Sequence, residues 1–362
     1  MLAQNKITKY QLVNIMIHSQ IGVGMITLPY EIFLKAGSDS WISVLLAGVI
    51  IQVIILIYAK LVKRFPSHHL YEIIQLVFGK WIGKTIIIFY SIYFIILGGV
   101  FLAKYAFILK SWMMPLTPKW ILIVLILLLS VYTAIENIQV IARLLTLSSI
   151  ILVIFIGISA FALRDAHITY ILPIGNSGLK SIIDGIPVSI YSFIGFGYFI
   201  IIHPFVQSDY KGIVRTVTIS NITITLFNTF MVLTSLLFFS SKELKRIPEP
   251  VLYLVKSFNF NIIGRPDLIF TSMWIVLVVT TSIMMLYVTS LGLTTAIRIG
   301  KRSIYVYIVA GFSYLIGANI FGRYMIDSVA KLINPFILIF MCIPFITLLF
   351  SIVLKKKEGS NQ

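Results

Sequence analysis

The chain has 362 residues, of which 59% are hydrophobic and only 11% charged, with a mean hydropathy of +1.02; an average soluble protein carries roughly 25% charged residues. So apolar a composition, with no polar block long enough for a separate soluble domain, excludes a water-soluble globular protein and predicts one all-α polytopic membrane domain over residues 1–362. The net charge of +17, from 29 Lys and Arg against 12 Asp and Glu, belongs in loops beside anionic headgroups, which makes the lipid bilayer the partner and argues against nucleic acid.

A hydropathy window of about 19 residues predicts ten spans, at residues 11–34, 41–61, 85–109, 120–134, 144–163, 184–207, 214–239, 268–297, 303–321 and 332–354. The first run has no small-residue cleavage site and reads as a retained span, not a signal peptide. An even number of spans places both termini on one side. Placing them in the cytoplasm gathers Lys60, Lys63, Arg64, Lys80, Lys84 and the basic tail 355–362 on the inner face. The connection at 240–267 is polar at first and then apolar from Val251 to Phe258. It reads either as a short helix lying on the membrane or capping a vestibule, or as a solvated loop. Cys342 is the only cysteine, which rules out an intramolecular disulfide and a cysteine metal site.

Two spans carry matching interruptions. Span one contains Ile21-Gly22-Val23-Gly24 with Pro29 beyond it, and span six contains Ile194-Gly195-Phe196-Gly197 with Pro204 beyond it. Gly22 and Gly195 lie 173 positions apart, and the same offset carries the starts of spans one and two, at 11 and 41, onto 184 and 214. Spans three to five fall short of their counterparts by about ten residues or more, a slip that the long connection absorbs. Five spans is an odd number, so the second copy enters the membrane from the opposite side. This predicts a five-plus-five inverted repeat, 11–163 and 184–354, with broken helices 1 and 6. Freed backbone groups in hydrocarbon cost several kcal/mol unless something satisfies them. A ligand can do so: half-helix N-termini offer N–H groups to a carboxylate, and the opposite ends offer carbonyls to an amine or cation.

Other polar residues have structural readings beside functional ones. Thr280 and Thr281 can serve a ligand or a sodium ion, or bond back to the preceding turn. His203 reads as interfacial or carbonyl-bonded, with a proton-linked switch as the functional alternative, and His18 and Gln20 read as supports of the first break or as interhelical hydrogen bonds. Glu136 and Arg143 read as an interfacial ion pair, and Lys104 as snorkelling from the outer end of its span. No span shows a carboxylate at mid-depth. Catalytic motifs are absent: there is no Gly-x-Ser-x-Gly, no His-Glu-x-x-His and no phosphate-cradling loop. The sequence predicts neither an enzyme, nor a cofactor, nor a metal site.

Besides the first break, Gly37-Ser38-Asp39-Ser40-Trp41-Ile42-Ser43-Val44-Leu45, Arg64-Phe65-Pro66 and Phe78-Gly79-Lys80-Trp81-Ile82-Gly83 resemble the B subunit of bacterial spore nutrient germinant receptors. The resemblance runs over essentially the whole chain. The Gly-x-Gly alone indicates only the wider amino acid, polyamine and organocation transporter superfamily. The resemblance implies a leucine-transporter-like fold in the spore inner membrane, acting with germinant receptor A and C subunits to sense a small-molecule nutrient, commonly an amino acid, and trigger germination. An amino acid permease of the same fold is the alternative. In this superfamily the ligand lies between the two breaks, with spans three and eight closing the pocket. Carried over, this points to Ile21, Gly22, Val23 and Gly24, to Phe193, Ile194, Gly195 and Phe196, to Leu97 and Gly98, and to Thr280 and Thr281.

Overall fold

A computed structural model describes residues 6–22, 24–258 and 264–358. Helix α1 (Lys9–His18) starts at a reciprocal cap. The Thr8 hydroxyl accepts from the Gln11 amide at 3.2 Å, while the Gln11 side chain accepts from the Thr8 amide at 2.9 Å. After an interruption α2 (Gly24–Ala36) continues, and a single 3₁₀ turn leads into α3 (Ser40–Arg64). Then come α4 (Leu70–Phe78), α5 (Lys80–Trp112), α6 (Lys119–Ala134) and α7 (Ile138–Phe161). The second half contains α8 (Gly178–Tyr191), the short α9 (Phe199–Ile202), α10 (Tyr210–Phe238), α11 (Ser241–Leu244) and α12 (Pro250–Lys256). It closes with α13 (Pro266–Ile297), α14 (Arg302–Asn319), α15 (Gly322–Ile333) and α16 (Phe336–Val353).

Among the described residues six helical stretches are long and apolar enough to cross a membrane, and a seventh is the pair at 178–191 and 196–205, bent by 50°. Their outward faces are apolar. On α6, Leu125, Leu128, Leu129 and Tyr132, spaced three and four apart, are all more than half exposed, and so are Leu147, Ile150 and Val153 on α7. That is a lipid-facing stripe rather than a water-facing one.

Two groups of helices pack within themselves. One consists of α5, α6, α13 and α14, and the other of α1, α2, α3, α8 and α10. Small residues set the closest approaches. A Cβ on Gly99 of α5 would lie 2.5 Å from the Ile316 side chain of α14, and one on Gly317 would lie 2.9 Å from the Gly99 carbonyl.

Several boundaries differ from the hydropathy reading. Helix α7 begins at Ile138, and α4 is a separate amphipathic helix that the window passes over. The last predicted span, 332–354, is interrupted at Asn334 and Pro335, where proline supplies no amide to continue α15. In the long connection, α12 buries Val251, Leu252, Leu254 and Val255 against α2 and α13, so this segment is a packed cap and not a solvated loop. Buried Asp39 accepts from the Gly175 and Ser177 amides at 2.8 and 2.9 Å, which docks the loop before α8 onto the α2–α3 turn.

The first and last described residues are tied to neighbouring helix ends. Ile7 pairs with the strand-like segment after α9, through Ile7 N to Phe205 O at 2.7 Å and Gln207 N to Ile7 O at 2.8 Å. After α16, Arg64 donates to the carbonyls of Ser351 and Lys356, both at 2.9 Å. Glu358 accepts from the Ser67 amide at 2.9 Å, and that contact holds its carboxyl below the ordinary range against the opposing effect of burial.

Candidate ligand site at the two helix breaks

The last turn of α1 leaves carbonyls without helical donors, and α13 supplies replacements. The Thr281 hydroxyl lies 2.9 Å from the His18 carbonyl, 3.0 Å from that of Ile21 and 3.0 Å from that of Leu277. It has one proton for three acceptors. One heptad earlier on the same face, the Trp274 indole N–H donates to the Gly22 carbonyl at 3.4 Å. Thr280 turns the other way: its hydroxyl donates to Leu277 O at 2.8 Å and meets His18 Nδ1 at 3.1 Å. His18 Nε2 meets Ser149 of α7 at 3.1 Å, and Ser149 donates to Asn14 Oδ1 at 2.7 Å. A polar chain thus joins α1, α7 and α13 just before the break; its members Asn14 and Ser149, and Trp274 at the Gly22 carbonyl, are residues that sequence reasoning missed.

Break two is built from tight i to i−3 bonds, Phe193 N to Ile190 O at 3.0 Å and Phe196 N to Phe193 O at 3.0 Å, around Gly195. Gly195 has φ +112°, where only glycine is comfortable, and a Cβ there would stand 2.5 Å from the Ser19 carbonyl oxygen. The two breaks therefore touch backbone to backbone. Gly24 faces Ser192, its would-be Cβ 3.5 Å from the hydroxyl, and Gly22 faces Phe101 and Thr281.

The structure thus brings together Ile21, Gly22, Gly24, Gly195 and Thr281; Val23 lies outside the described residues. Phe193 is fully buried, while Ile194 and Phe196 border a different space, on the far side of break two. Thr280 contacts His18 instead of the break carbonyls. Gly98 is not at the breaks: a Cβ there would lie 3.1 Å from Ser313 of α14 and 3.4 Å from the Met285 sulfur, and Leu97 packs beside α15.

A set of charges joins α2 to its neighbours. Lys104 of α5 does not stand alone, as its snorkelling reading assumed, but meets Glu31 of α2 at 2.6 Å. Arg323 of α15 meets Glu249, which precedes α12, at 3.0 Å and lies 5.7 Å from the Tyr30 ring. Burial raises the Glu249 carboxyl, with Arg323 and Lys104 opposing. Four elements, α2, α5, α12 and α15, are thereby stitched by side chains whose pairing hydropathy does not reveal. Elsewhere, His203 lies 3.0 Å from Ile200 O and 3.1 Å from Phe65 O, the carbonyl-bonded option. Among the described residues Glu136 and Arg143 make no ion pair. Arg302 instead donates to the carbonyls of Ala134, Ile135 and Glu136 at 2.6, 2.9 and 2.8 Å. No group of three or more His, Cys, Asp or Glu is placed to hold a metal among the described residues.

Interrupted helices packed against each other within an all-α polytopic bundle define a membrane protein with a secondary-transporter fold. Two solved structures share it. Mhp1, a nucleobase-cation-symport-1 family transporter with bromovinylhydantoin bound, superposes with TM-score 0.65 at 12% identity, covering 91% of this chain and 75% of its own. MhsT in complex with L-phenylalanine superposes with TM-score 0.62 at 14% identity, covering 96% and 89%. Residues 6–321 match the spore germination protein family, and the chain belongs to it. It is 28% identical over 301 residues to spore germination protein YndE of Bacillus subtilis (strain 168), covering 81% of this chain and 82% of YndE. It is 26% identical over 297 residues to GerQB of Bacillus cereus, covering 82% of each. To spore germination protein A2 of Bacillus subtilis (strain 168) it is 25% identical over 353 residues, covering 93% and 95%.

Proposed function

We propose that this chain is the membrane subunit of a bacterial spore nutrient germinant receptor, which binds a small nutrient, an amino acid above all, where the two breaks meet. The observation that carries the reading is the backbone contact of Gly195 with Ser19, beside Gly24 and Ser192. There the N-terminus of α2 presents free N–H groups suited to a carboxylate, and the break carbonyls held by Thr281 and Trp274 are available to an ammonium once those side chains rotate. Binding shifts spans one, two, six and seven, that is α1, α2, α3, α8, α9 and α10, against the rest of the bundle, and the receptor's A and C subunits read that shift.

In this reading ten spans form two inverted repeats, 11–163 and 184–354, in the spore inner membrane with both termini cytoplasmic. The 41-residue stretch Gly24–Arg64 supports separate crossings: as one straight helix it would reach about 60 Å, twice the ~30 Å of hydrocarbon. The transporter fold favours one second reading, an amino acid permease, for which saturable uptake into liposomes by the chain alone is the test.

A thermal-shift scan of the purified protein in detergent against amino acids, nucleosides and sugars tests the main reading, with Gly24→Trp as the control. A ligand at a hundred times its Kd adds about 2.7 kcal/mol to the folded state. A rise in melting temperature for amino acids that is lost in Gly24→Trp is the expected result. Cooperative melting with no shift for any class would remove this chain as the sensor.

A further inference from the structure

Helix α16 ends at Val353, and residues 354–358 lie across the ends of α3 and α4. The crossing begins at Lys355, which is exposed and has φ +53°, a left-handed backbone that residues other than glycine adopt rarely. The Lys356 ammonium donates to the Leu76 and Val77 carbonyls at 2.9 and 3.2 Å, acceptors that the last turn of α4 leaves without helical donors. The Glu358 amide donates to the Arg64 carbonyl at 3.0 Å. Its carboxylate accepts from the Ser67 amide and lies 3.6 Å from His68 Nδ1, while Arg64 reaches back to the Lys356 carbonyl. Residues 354–358 therefore grip the α3–α4 turn, 65–69, from both of its sides.

That turn also carries the trailing end of the second broken helix. His203, just after α9, is buried and lies 3.1 Å from Phe65 O, two residues before Ser67. The segment after break two is thus held by two clasps, the backbone pairing of Ile7 with 205–207 and the seat of His203 on Phe65. The second is only as firm as the turn beneath it. The contacts that brace the turn are polar, lie at the surface and follow a left-handed residue, and segments held in this way are the ones that open locally while the rest of a fold stays closed.

We propose that residues 354–358 are a releasable strap. Closed, the strap braces the α3–α4 turn and, through Phe65, the trailing end of the second broken helix; open, it frees that end to move. The strap needs nothing bound where the breaks meet and does not rest on the nutrient reading.

The test is hydrogen–deuterium exchange of the full-length protein in detergent, at one pH and temperature, read by mass spectrometry in the parent, Glu358→Ala and Lys356→Met. Neither side chain is buried. Each variant should speed exchange about threefold or more in peptides covering 65–70 and 199–207, and leave 305–317 of α14 at the parent's rate. In a His203→Ala background, Glu358→Ala should no longer change exchange over 199–207. Should Glu358→Ala not fold, Lys356→Met carries both comparisons. Faster exchange confined to 65–70 overturns the proposal, because the segment would then brace the turn alone. Unchanged exchange in both segments overturns it as well, as does an equal rise over 305–317, the mark of general loosening. An effect on 199–207 that persists without His203 removes the route through Phe65 and with it the strap.

Discussion

Gly195→Ala isolates the contact between the breaks. The added methyl meets two costs at once. With φ at +112° the backbone is in a region that costs a non-glycine residue about 1–3 kcal/mol. The methyl also stands 2.5 Å from the Ser19 carbonyl oxygen and 2.9 Å from its carbon, and overpacking against rigid backbone costs about 1–3 kcal/mol more. The expected loss is about 2–6 kcal/mol. At roughly 2–4 °C per kcal/mol, the scaling of larger domains, this lowers the melting temperature by about 4–24 °C. Gly24→Ala is the matched control, because its methyl meets only the Ser192 hydroxyl at 3.5 Å, an ordinary contact at the start of a helix. It should melt within about 2 °C of the parent, or above it, since alanine favours helix. Both variants are read by differential scanning fluorimetry in one detergent. Equal melting of Gly195→Ala and the parent would refute the backbone contact and with it the geometry of the site.

Asp39→Ala removes the acceptor of the Gly175 and Ser177 amides; the expected cost is about 2–4 kcal/mol, with faster proteolytic cleavage between residues 166 and 177 as the readout. For Glu31 and Lys104, 2.6 Å apart and partly exposed, a double-mutant cycle of Glu31→Gln and Lys104→Met should give a coupling of about 1 kcal/mol; additivity would mean that the pair does not hold α2 to α5. Burial keeps His69, in the α3–α4 connection, neutral down to about pH 3. The unfolded chain takes up that proton near pH 6.5, so the neutral form stabilises the fold fully above pH 6.5 and progressively less as pH falls toward 3. Melting temperature should therefore drop on acidification, and His69→Gln should flatten that slope; an unchanged slope would contradict the assignment.

The parts of the fold legible in the sequence are those that hydropathy and glycine spacing encode. The positions of the long helices followed from apolar run length. Gly22, Gly24 and Gly195 could be read because a Gly-x-Gly in hydrocarbon is expensive unless it has a use. What stayed hidden depends on azimuth, not depth. Glu31 sits three residues from the end of a predicted span, so a hydropathy window treats it as flank, and only packing shows that it faces Lys104. Gly98 looks like a ligand-facing glycine in sequence, yet small residues also mark helix crossings, and its neighbours are Ser313 and Met285. Thr280 and Thr281 are adjacent and alike in sequence, but the 100° between successive helical residues sends one to the histidine chain and the other to the break carbonyls. The interruption at Pro335 was masked by the apolar residues on either side of it.

Helices α3 and α16 are fastened at two levels, by the Tyr58 hydroxyl on the Met341 carbonyl and by Arg64 on the carbonyls of Ser351 and Lys356. Two attachment points about a turn and a half apart on α3 remove both sliding and tilting, so the pair behaves mechanically as one strut. Freedom at this end of the bundle then falls to whatever is not part of that strut. Any widening of the space that Ile194 and Phe196 border, between Tyr58 of α3, Tyr93 of α5 and Phe340 of α16, is a displacement of α5 or of break two, and a crosslink that immobilises α16 on α3 should leave it unimpeded.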